Sequence, residues 1–347
     1  MFERILVPLD GSKRAEQALP VAAKIARSSG GSVVLVRVSM PDTFTGPSVV
    51  GPLFTPEMFE RERIEITYYL AHLPSLECLR GVTTVAHIAE GMPAQAILSA
   101  VDALQADLIV MCSHGRTGFT RWMLGSVAQH VARHSTVPVL IVREATESAR
   151  VSGRDAYSVR VMVALDGSPL AEEALTPAAY LSTALSTQSE GALHLVLVVH
   201  LPVEYEYGQN DALARAKKQG IQQAWSYLNA LEQRIQTGNL SSSKLQVTAS
   251  VAVSMDVADT LIQIAEGNEQ ENSTGYDIIA LTTHGRSGPK RWIMGSVAER
   301  LLGATRLPLL IIHPHKSKEP HEEGKEVSSV KDQTSEGTKG SSQVGLL

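Results

Sequence analysis

The sequence predicts an α/β fold in which two doubly wound parallel-sheet domains follow one another in tandem, each with the strand order 3-2-1-4-5. Short apolar runs alternate with amphipathic helical stretches, which is the pattern of a parallel sheet covered by helices on both faces. This pattern occurs twice, because ILVPLDGSKRAEQAL from Ile5 returns as VMVALDGSPLAEEAL from Val161. The length of 347 residues also fits two domains of ordinary size.

The apolar runs give the strands, and helical patterns such as AEQALPVAAKIARS and PAQAILSAVDALQ separate them. The fifth run of each copy, VPVLIV and LPLLII, is wholly apolar, although the fifth strand is an edge in this strand order. A bare apolar edge promotes aggregation, so we expect the two fifth strands to cover each other in an antiparallel internal pseudo-dimer. The strands of the first copy are predicted at residues 5–9, 32–38, 82–88, 107–112 and 137–142.

The repeat also predicts the domain boundaries. The first domain is expected at residues 1–145 and the second at 158–315, joined by a linker at 146–157 that has no apolar periodicity. Residues 316–347 lack aromatic residues and isoleucine and are rich in Ser, Gly, Lys and Glu. Such a segment buries too little apolar surface to fold, so it is predicted to be a disordered tail.

Composition limits the functional classes. Hydrophobic residues make up 44% of the chain, charged residues 19%, and the net charge is −5, which argues against a nucleic-acid-binding surface. The two cysteines cannot build a disulfide framework, and no leader precedes the first strand. No apolar stretch reaches the roughly 18 residues of a membrane span. We therefore expect a soluble, cytoplasmic protein that binds neither membranes nor nucleic acids.

A glycine-rich turn follows the fourth strand of each copy, as SHGRTGFTRWMLGSVA and then as THGRSGPKRWIMGSVA. In the first copy nine residues separate Gly115 from Gly125, and Gly125 with Ser126 opens a helix. Unpaired N–H groups and the positive end of the helix dipole favour an anion there, and glycine lets a phosphate approach the backbone. The turn is not a P-loop, because no G-x-x-x-x-G-K-[ST] string occurs. The second copy has Gly285, Gly295 and Ser296 at these positions.

A carboxylate follows the first strand of both copies. Asp10 and Asp166 each begin the tripeptide Asp-Gly-Ser. Ligands of open α/β sheets bind at the carboxyl ends of the strands, so each aspartate is expected beside the crevice that contains the glycine-rich turn. There it can accept a hydrogen bond from a ribose hydroxyl or hold a magnesium ion.

These motifs resemble those of the universal stress protein family, over almost all of residues 1–315. The ATP-binding branch of that family carries G-x-x-G, nine further residues and G-[ST] on a Rossmann-like sheet. The resemblance implies that the chain binds ATP with Mg²⁺ at the two glycine-rich turns. It also implies that Asp10 and Asp166 contact the nucleotide sugar, and that Val38 and Val199 meet the adenine through their backbones.

The resemblance also marks positions that depart from the family pattern. Cys112 and Thr282 stand where the family has its leading glycine. His114 and His284 precede the loop glycines and are further candidate nucleotide contacts, for which a hydrogen bond within the loop is favoured over catalysis. The string HPH at residues 313–315, taken together with His321, matches no standard metal site and is interpreted as part of a solvated terminus.

The copies differ on the base side of the predicted site. The first copy has EGMPAQAI, with Gly91 and Pro93 leading its third strand into a helix. The second copy reads SMDVADTL there, with Met255 and Val257 instead. We therefore expect the first copy to bind nucleotide more tightly.

Three functional classes stay open. The leading one is an ATP-binding stress-response or signalling module whose nucleotide state tunes conformation or partner binding, with at most slow ATPase activity and no assigned catalytic residue. The second is an adenine-nucleotide hydrolase-type enzyme, against which the lack of a second substrate domain argues. The third is a dimerisation scaffold that binds no nucleotide. Homodimerisation of the whole chain also stays open.

Overall fold

A computed structural model describes most of both repeats, and every described element belongs to one unit, Met1–Pro314. The predicted linker at 146–157 and the predicted tail at 316–347 lie outside the described residues. The described residues are 1–39, 56–113, 124–143, 158–186, 190–200, 210–238, 245–267, 275–285 and 294–314.

Each copy contributes five strands to the described part of the chain. In the first copy the last strand begins after Pro138, because proline cannot donate to the ladder. The strands are β1 Arg4–Leu9, β2 Ser32–Ser39, β3 Thr83–Glu90, β4 Leu108–Cys112, β5 Val139–Val142, β6 Arg160–Leu165, β7 Gly191–His200, β8 Leu245–Ser254, β9 Ile278–Thr282 and β10 Leu309–Ile312.

Helices connect the strands of each copy in corresponding places, and short 3₁₀ segments supplement them. No helix in the described part of the chain is long and apolar enough to cross a membrane. The helices are α1 Ala18–Ser29, α2 Pro56–His72, α3 Pro93–Ala103, α4 Ser126–His134, α5 Leu175–Leu185, α6 Asn210–Thr237, α7 Val257–Glu266 and α8 Ser296–Ala304, with a single helical turn at Pro169–Glu172 before α5.

The ten strands form one sheet in the order β3-β2-β1-β4-β5-β10-β9-β6-β7-β8. Within each copy all neighbouring strands are parallel, and the order within each copy is 3-2-1-4-5, as predicted. Helices cover both faces: α1, α2, α5 and α6 pack on one, and α3, α4, α7 and α8 on the other. The doubly wound α/β fold is therefore confirmed for both copies.

The junction between the copies is an antiparallel pair of β5 and β10, as the apolar edges predicted. Leu310 pairs with Leu140, and both side chains are buried. The ladder also pairs Leu309 with Ile141 and Ile311 with Val139. Neither fifth strand is thus an exposed edge, and the sheet continues from one copy into the other.

Polar contacts between α4 and α8 reinforce this junction. The amide of Gln129 donates to Glu299 Oε1 at 3.2 Å, and Arg133 forms an ion pair with the same carboxylate. Arg143, which follows β5, donates from Nη2 to the carbonyl of Leu302 near the end of α8, at 2.6 Å. A cation at a helix C-terminus is favourable, because it satisfies a free carbonyl and complements the helix dipole.

His313 occupies the corresponding place after β10. It lies beside the last turn of α4, near Arg133, and near His134 and His284. Both ring nitrogens are buried, and neither makes a hydrogen bond of good geometry within the described residues. The interpretation of HPH as part of a solvated terminus is therefore wrong for His313: this side chain is part of the junction.

Burial lowers the pKa of His313 to about 4, with a smaller effect from the neighbouring histidines. The folded protein therefore takes up this proton only well below the ordinary histidine pKa of 6.5. Above pH 6.5 His313 is neutral in both the folded and the unfolded protein, and its contribution to the free energy of unfolding is complete. As the pH falls from 6.5 towards about 4, only the unfolded protein takes up this proton, so the contribution is lost.

We predict that His313→Gln makes unfolding less sensitive to acid. Across that pH interval the wild type should lose stability more steeply than the variant, by at most about 1.4 kcal/mol per pH unit, because only the wild-type unfolded state gains this proton. Denaturant unfolding of both proteins at several pH values measures the difference. Burial also lowers the pKa of His194, which both proteins contain, so the test is the difference between the two proteins in how steeply stability falls with pH. Equal slopes would contradict the prediction.

Candidate functional site

The Asp-Gly-Ser turn after the first strand has the same geometry in both copies. Asp10 Oδ1 accepts hydrogen bonds from the backbone N–H and hydroxyl of Ser12, at 2.9 and 2.6 Å. Asp166 accepts the same pair from Ser168 at the same distances. The glycine between them has φ of 82° in the first copy and 84° in the second, which explains why glycine is needed.

The serine of this turn also starts the following helical segment. Ser12 Oγ accepts from the N–H of Ala15 at 3.2 Å, and Ser168 Oγ accepts from that of Ala171 at 3.2 Å. One serine thus links the aspartate to a helix start, which fixes the carboxylate at the carboxyl end of the sheet. Local hydrogen bonding therefore gives both aspartates a structural role, whatever ligand they contact.

Helices α4 and α8 begin at the predicted glycines. Gly125 and Gly295 are the N-cap residues, and glycine has no side chain with which to cap the helix. By contrast, Asp256 caps α7 with its carboxylate. The first-turn N–H groups of an α-helix have no intrahelical acceptor, which makes such a helix start a suitable place for an anion.

A backbone hydrogen bond joins the start of each of these helices to the residue that follows the preceding strand. The N–H of Gly125 donates to the carbonyl of Ser113 at 2.8 Å, and the N–H of Gly295 donates to Thr283 at 2.8 Å. Because β4 pairs with β1, and β9 with β6, each helix start lies one strand away from its Asp-Gly-Ser turn. His114 and Gly115 lie outside the described residues.

In the second copy the structure brings the loop glycine and the aspartate together. A Cβ on Gly285 would overlap Asp166 Oδ2. The missing side chain is therefore required by the approach of the carboxylate itself. This contact places the first glycine of the second loop directly against the aspartate, and it gives Gly285 a function that does not depend on a phosphate.

The residues at the ends of β4 and β9 hold their loops. Cys112 Sγ lies 3.7 Å from the carbonyl of Ala15, to which the thiol donates. Thr282 Oγ1 donates to the carbonyl of His284 at 2.8 Å, and Thr283 Oγ1 lies 3.0 Å from His284 Nδ1. The hydrogen-bonding interpretation of His284 is thus supported by its contact with Thr283.

The ladder register changes one correspondence between the copies, that of Val38 with Val199. Leu9 pairs with Arg37 in the first copy, and Leu165 pairs with Leu197 in the second. The next residue of each second strand is Val38 and Val198, so Val198 rather than Val199 is the counterpart of Val38. The repeats differ in length between the first and second strands, which is why counting along the chain missed this.

A tyrosine and a glutamate recur beside both aspartates, and sequence reasoning missed them. Tyr69 on α2 donates its hydroxyl to Glu16 Oε1 at 3.3 Å. Burial and the Glu16 carboxylate raise the pKa of Tyr69, and burial with Glu172 does the same for Tyr227 on α6. Both tyrosines therefore stay protonated. Glu16 and Glu172 could have been found, because both belong to the repeated AEQAL and AEEAL strings.

The model of the Universal stress protein family matches residues 1–143 and again 159–313. The chain belongs to the universal stress protein family. Two family domains in tandem agree with the two copies seen in the sheet.

Relatives of single-domain length match parts of this tandem universal stress protein. A universal stress protein of Bacillus subtilis is 32% identical over 151 residues, which is 41% of this chain and 100% of the relative. One of Thermus aquaticus is 36% identical over 146 residues, again 41% of this chain and 100% of the relative. A crystal structure of a universal stress protein from Archaeoglobus fulgidus has a TM-score of 0.62 at 18% identity, covering 90% of this chain and 99% of that one, which shows the shared fold.

We predict that Gly285→Ala destabilises the second copy by about 1–3 kcal/mol, because the new Cβ displaces the Asp166 carboxylate from the Ser168 hydrogen bonds. Gly303→Ala in α8 is the matched control, since its Cβ would meet nothing within 4 Å and alanine favours a helix. Thermal and denaturant unfolding compare the two. Equal stability of both variants would refute the close contact.

Proposed function

We propose that this universal stress protein is an adenine-nucleotide-binding module of the cytoplasmic stress response, with one site in each copy. In this proposal ATP binds with Mg²⁺, and the bound nucleotide tunes conformation or the affinity for protein partners. Catalysis is at most slow ATP hydrolysis.

The observation that carries the proposal is the duplicated helix start. In both copies a helix begins at Gly-Ser, its glycine is hydrogen-bonded to the residue that follows a strand, and this strand is the neighbour of the one that leads to the aspartate. Backbone donors of this kind suit the phosphates, and the aspartate suits a sugar hydroxyl. In that arrangement Gly125, Ser126, Gly295 and Ser296 hold phosphates, and Asp10 and Asp166 hold the sugar.

The charge around the two helix starts differs. The first turn of α4 carries no acidic residue, whereas Glu299 lies in the first turn of α8. An acidic side chain near the helix start disfavours a bound anion, although Gln129 and Arg133 offset this charge. Together with Gly91 and Pro93, this supports tighter nucleotide binding in the first copy.

The scaffold alternative is favoured by one observation in the second copy. Gly285 is explained by the contact with Asp166 alone, so its presence there does not require a phosphate.

Among the described residues no group of three or more His, Cys, Asp or Glu is placed to hold a metal ion, so Mg²⁺ would enter with the phosphates. A ligand titration separates the alternatives.

We predict that Gly125→Asp abolishes MgATP binding in the first copy, with a loss on the order of 100-fold in affinity or more, because a carboxylate would lie where the phosphates bind. Gly295→Asp should do the same to the weaker second site. Isothermal titration calorimetry of the wild type and both variants measures the two affinities.

Gly125→Ala and Gly295→Ala are the matched controls. A Cβ on Gly295 would lie 3.2 Å from the carbonyl oxygen of Thr283, so alanine reports the steric effect without the charge. We expect both alanine variants to retain most of their affinity and cooperative unfolding. Absence of MgATP binding by the wild type at millimolar concentrations, or unchanged titrations of both aspartate variants, would favour the scaffold.

A further inference from the structure

Arg37 is a charged residue within the apolar second strand, and it lies at the carboxyl end of the sheet. It pairs in the ladder with Leu9, the residue directly before Asp10. Its Nη1 is so close to Gly11 that a Cβ on that glycine would overlap it. The guanidinium therefore lies against the Asp-Gly-Ser turn of the first candidate site.

In the part of the chain that the structure describes, the Arg37 guanidinium has neither an ion-pair nor a hydrogen-bond partner. Arg37 is half-buried, and its Cζ lies 5.6 Å from the centroid of the Tyr69 ring. Glu16, which accepts a hydrogen bond from Tyr69, forms its ion pair with Lys13 at 2.8 Å. Burying a charge without a carboxylate or phosphate partner is unfavourable, and an anionic ligand that accepts hydrogen bonds from the guanidinium would offset this cost.

The second copy shows that the fold does not need this cation. Leu197 occupies the corresponding ladder position on β7. There Glu172 pairs with Arg234 of α6 at 2.6 Å, so the cation comes from a helix and is already bound to a carboxylate. The first candidate site thus carries a cation at a ladder position where the second has an apolar side chain.

The strand order locates this charge relative to the phosphate helix. Arg37 is on β2, and α4 follows β4, which is two strands away in the order β2-β1-β4. Two strand spacings amount to about 10 Å. A nucleotide whose 5′ phosphates lie at α4 and whose sugar lies at Asp10 would place its ribose, rather than its phosphate chain, near Arg37. In nucleotide-binding sheets an arginine near the ribose accommodates a sugar phosphate.

We propose that Arg37 makes the first copy selective for an adenine nucleotide that carries a phosphate on its ribose in addition to its 5′ phosphate. The guanidinium contacts the ribose phosphate, while Asp10 retains the remaining sugar hydroxyl. The second copy, with Leu197, does not make this distinction. The inference about the 5′ end of the ligand rests on the proposed function, but the contact between Arg37 and a sugar phosphate does not.

Two isomeric ligands test the proposal directly. ADP and adenosine 3′,5′-bisphosphate have the same composition and differ in where the second phosphate is attached. Each is titrated calorimetrically into the full chain carrying Gly295→Asp, which leaves the first site, and into the full chain carrying Gly125→Asp, which leaves the second. Adenosine 3′-monophosphate, which lacks the 5′ phosphate, is the third probe.

We expect the first site to bind the bisphosphate on the order of tenfold more tightly than ADP, as a charge-assisted hydrogen bond warrants. Arg37→Leu, which copies the second site, should remove this ratio, and Arg37→Lys should retain part of it because lysine keeps the charge but not the fork of donors. Leu197→Arg should introduce the preference at the second site. The ratio between isomers is insensitive to a general loss of packing, and Arg37→Lys keeps the test valid if Arg37→Leu unfolds.

The outcomes separate this inference from the proposed function. If ADP binds and the bisphosphate is no tighter, or if Arg37→Leu leaves the ratio unchanged, the role of Arg37 is refuted and nucleotide binding stands. If ATP and ADP fail to bind while the 3′-monophosphate binds the wild type and not Arg37→Leu, the proposed binding of ATP is refuted and the contact between Arg37 and a sugar phosphate stands. If no probe binds the wild type, both are refuted.

Discussion

The antiparallel pairing of β5 with β10 is the constraint on which the rest of the molecule depends. A four-residue strand of Val, Leu and Ile is apolar on both faces, so it requires helices above and below and a neighbour on each side. Within one copy the order 3-2-1-4-5 supplies only one neighbour, because the fifth strand is last. The second copy supplies the other neighbour, and Leu140 and Leu310 become fully buried opposite each other. Duplication thus solves an edge problem that each domain has alone.

The same pairing determines where the candidate sites lie. All strands within a copy are parallel, and the two copies meet antiparallel, so the carboxyl ends of their strands point to opposite edges of the sheet. Ligands of such sheets bind beyond the carboxyl ends of the strands, so the two candidate sites lie at opposite ends of the strands and are separate from each other. Their helices still meet, because α4 and α8 contact each other through Gln129 and Glu299 on the shared face.

Sequence reasoning predicted the parts of the structure that repeat a simple pattern. The positions of strands and helices follow from apolar periodicity, which acts over a few residues, and the wholly apolar fifth strands indicated that they are covered. Periodicity alone does not give the strand order, because several doubly wound orders fit the same alternation. Sequence reasoning could not predict the counterpart of Val38, because the copies differ in length between the first and second strands. Only the ladder shows which residues of β2 and β7 correspond. Sequence reasoning also missed His313, because burial of a polar residue depends on the opposite copy. Arg37 was visible as a charge in an apolar strand, but its lack of a partner depends on three-dimensional packing.

The two copies show how one fold tolerates different charge arrangements around the same acid. Glu16 and Glu172 occupy corresponding positions, each beside a half-buried tyrosine whose pKa is raised by burial and by this carboxylate. A carboxylate in such surroundings needs a cation, and the source differs: Lys13 within the same turn in one copy, Arg234 from a distant helix in the other. Because Lys13 already compensates Glu16, the additional charge of Arg37 is not required for electrostatic balance. A charge that has no ion-pair partner among the described residues, placed where the strands of such sheets end and ligands bind, favours an anionic ligand.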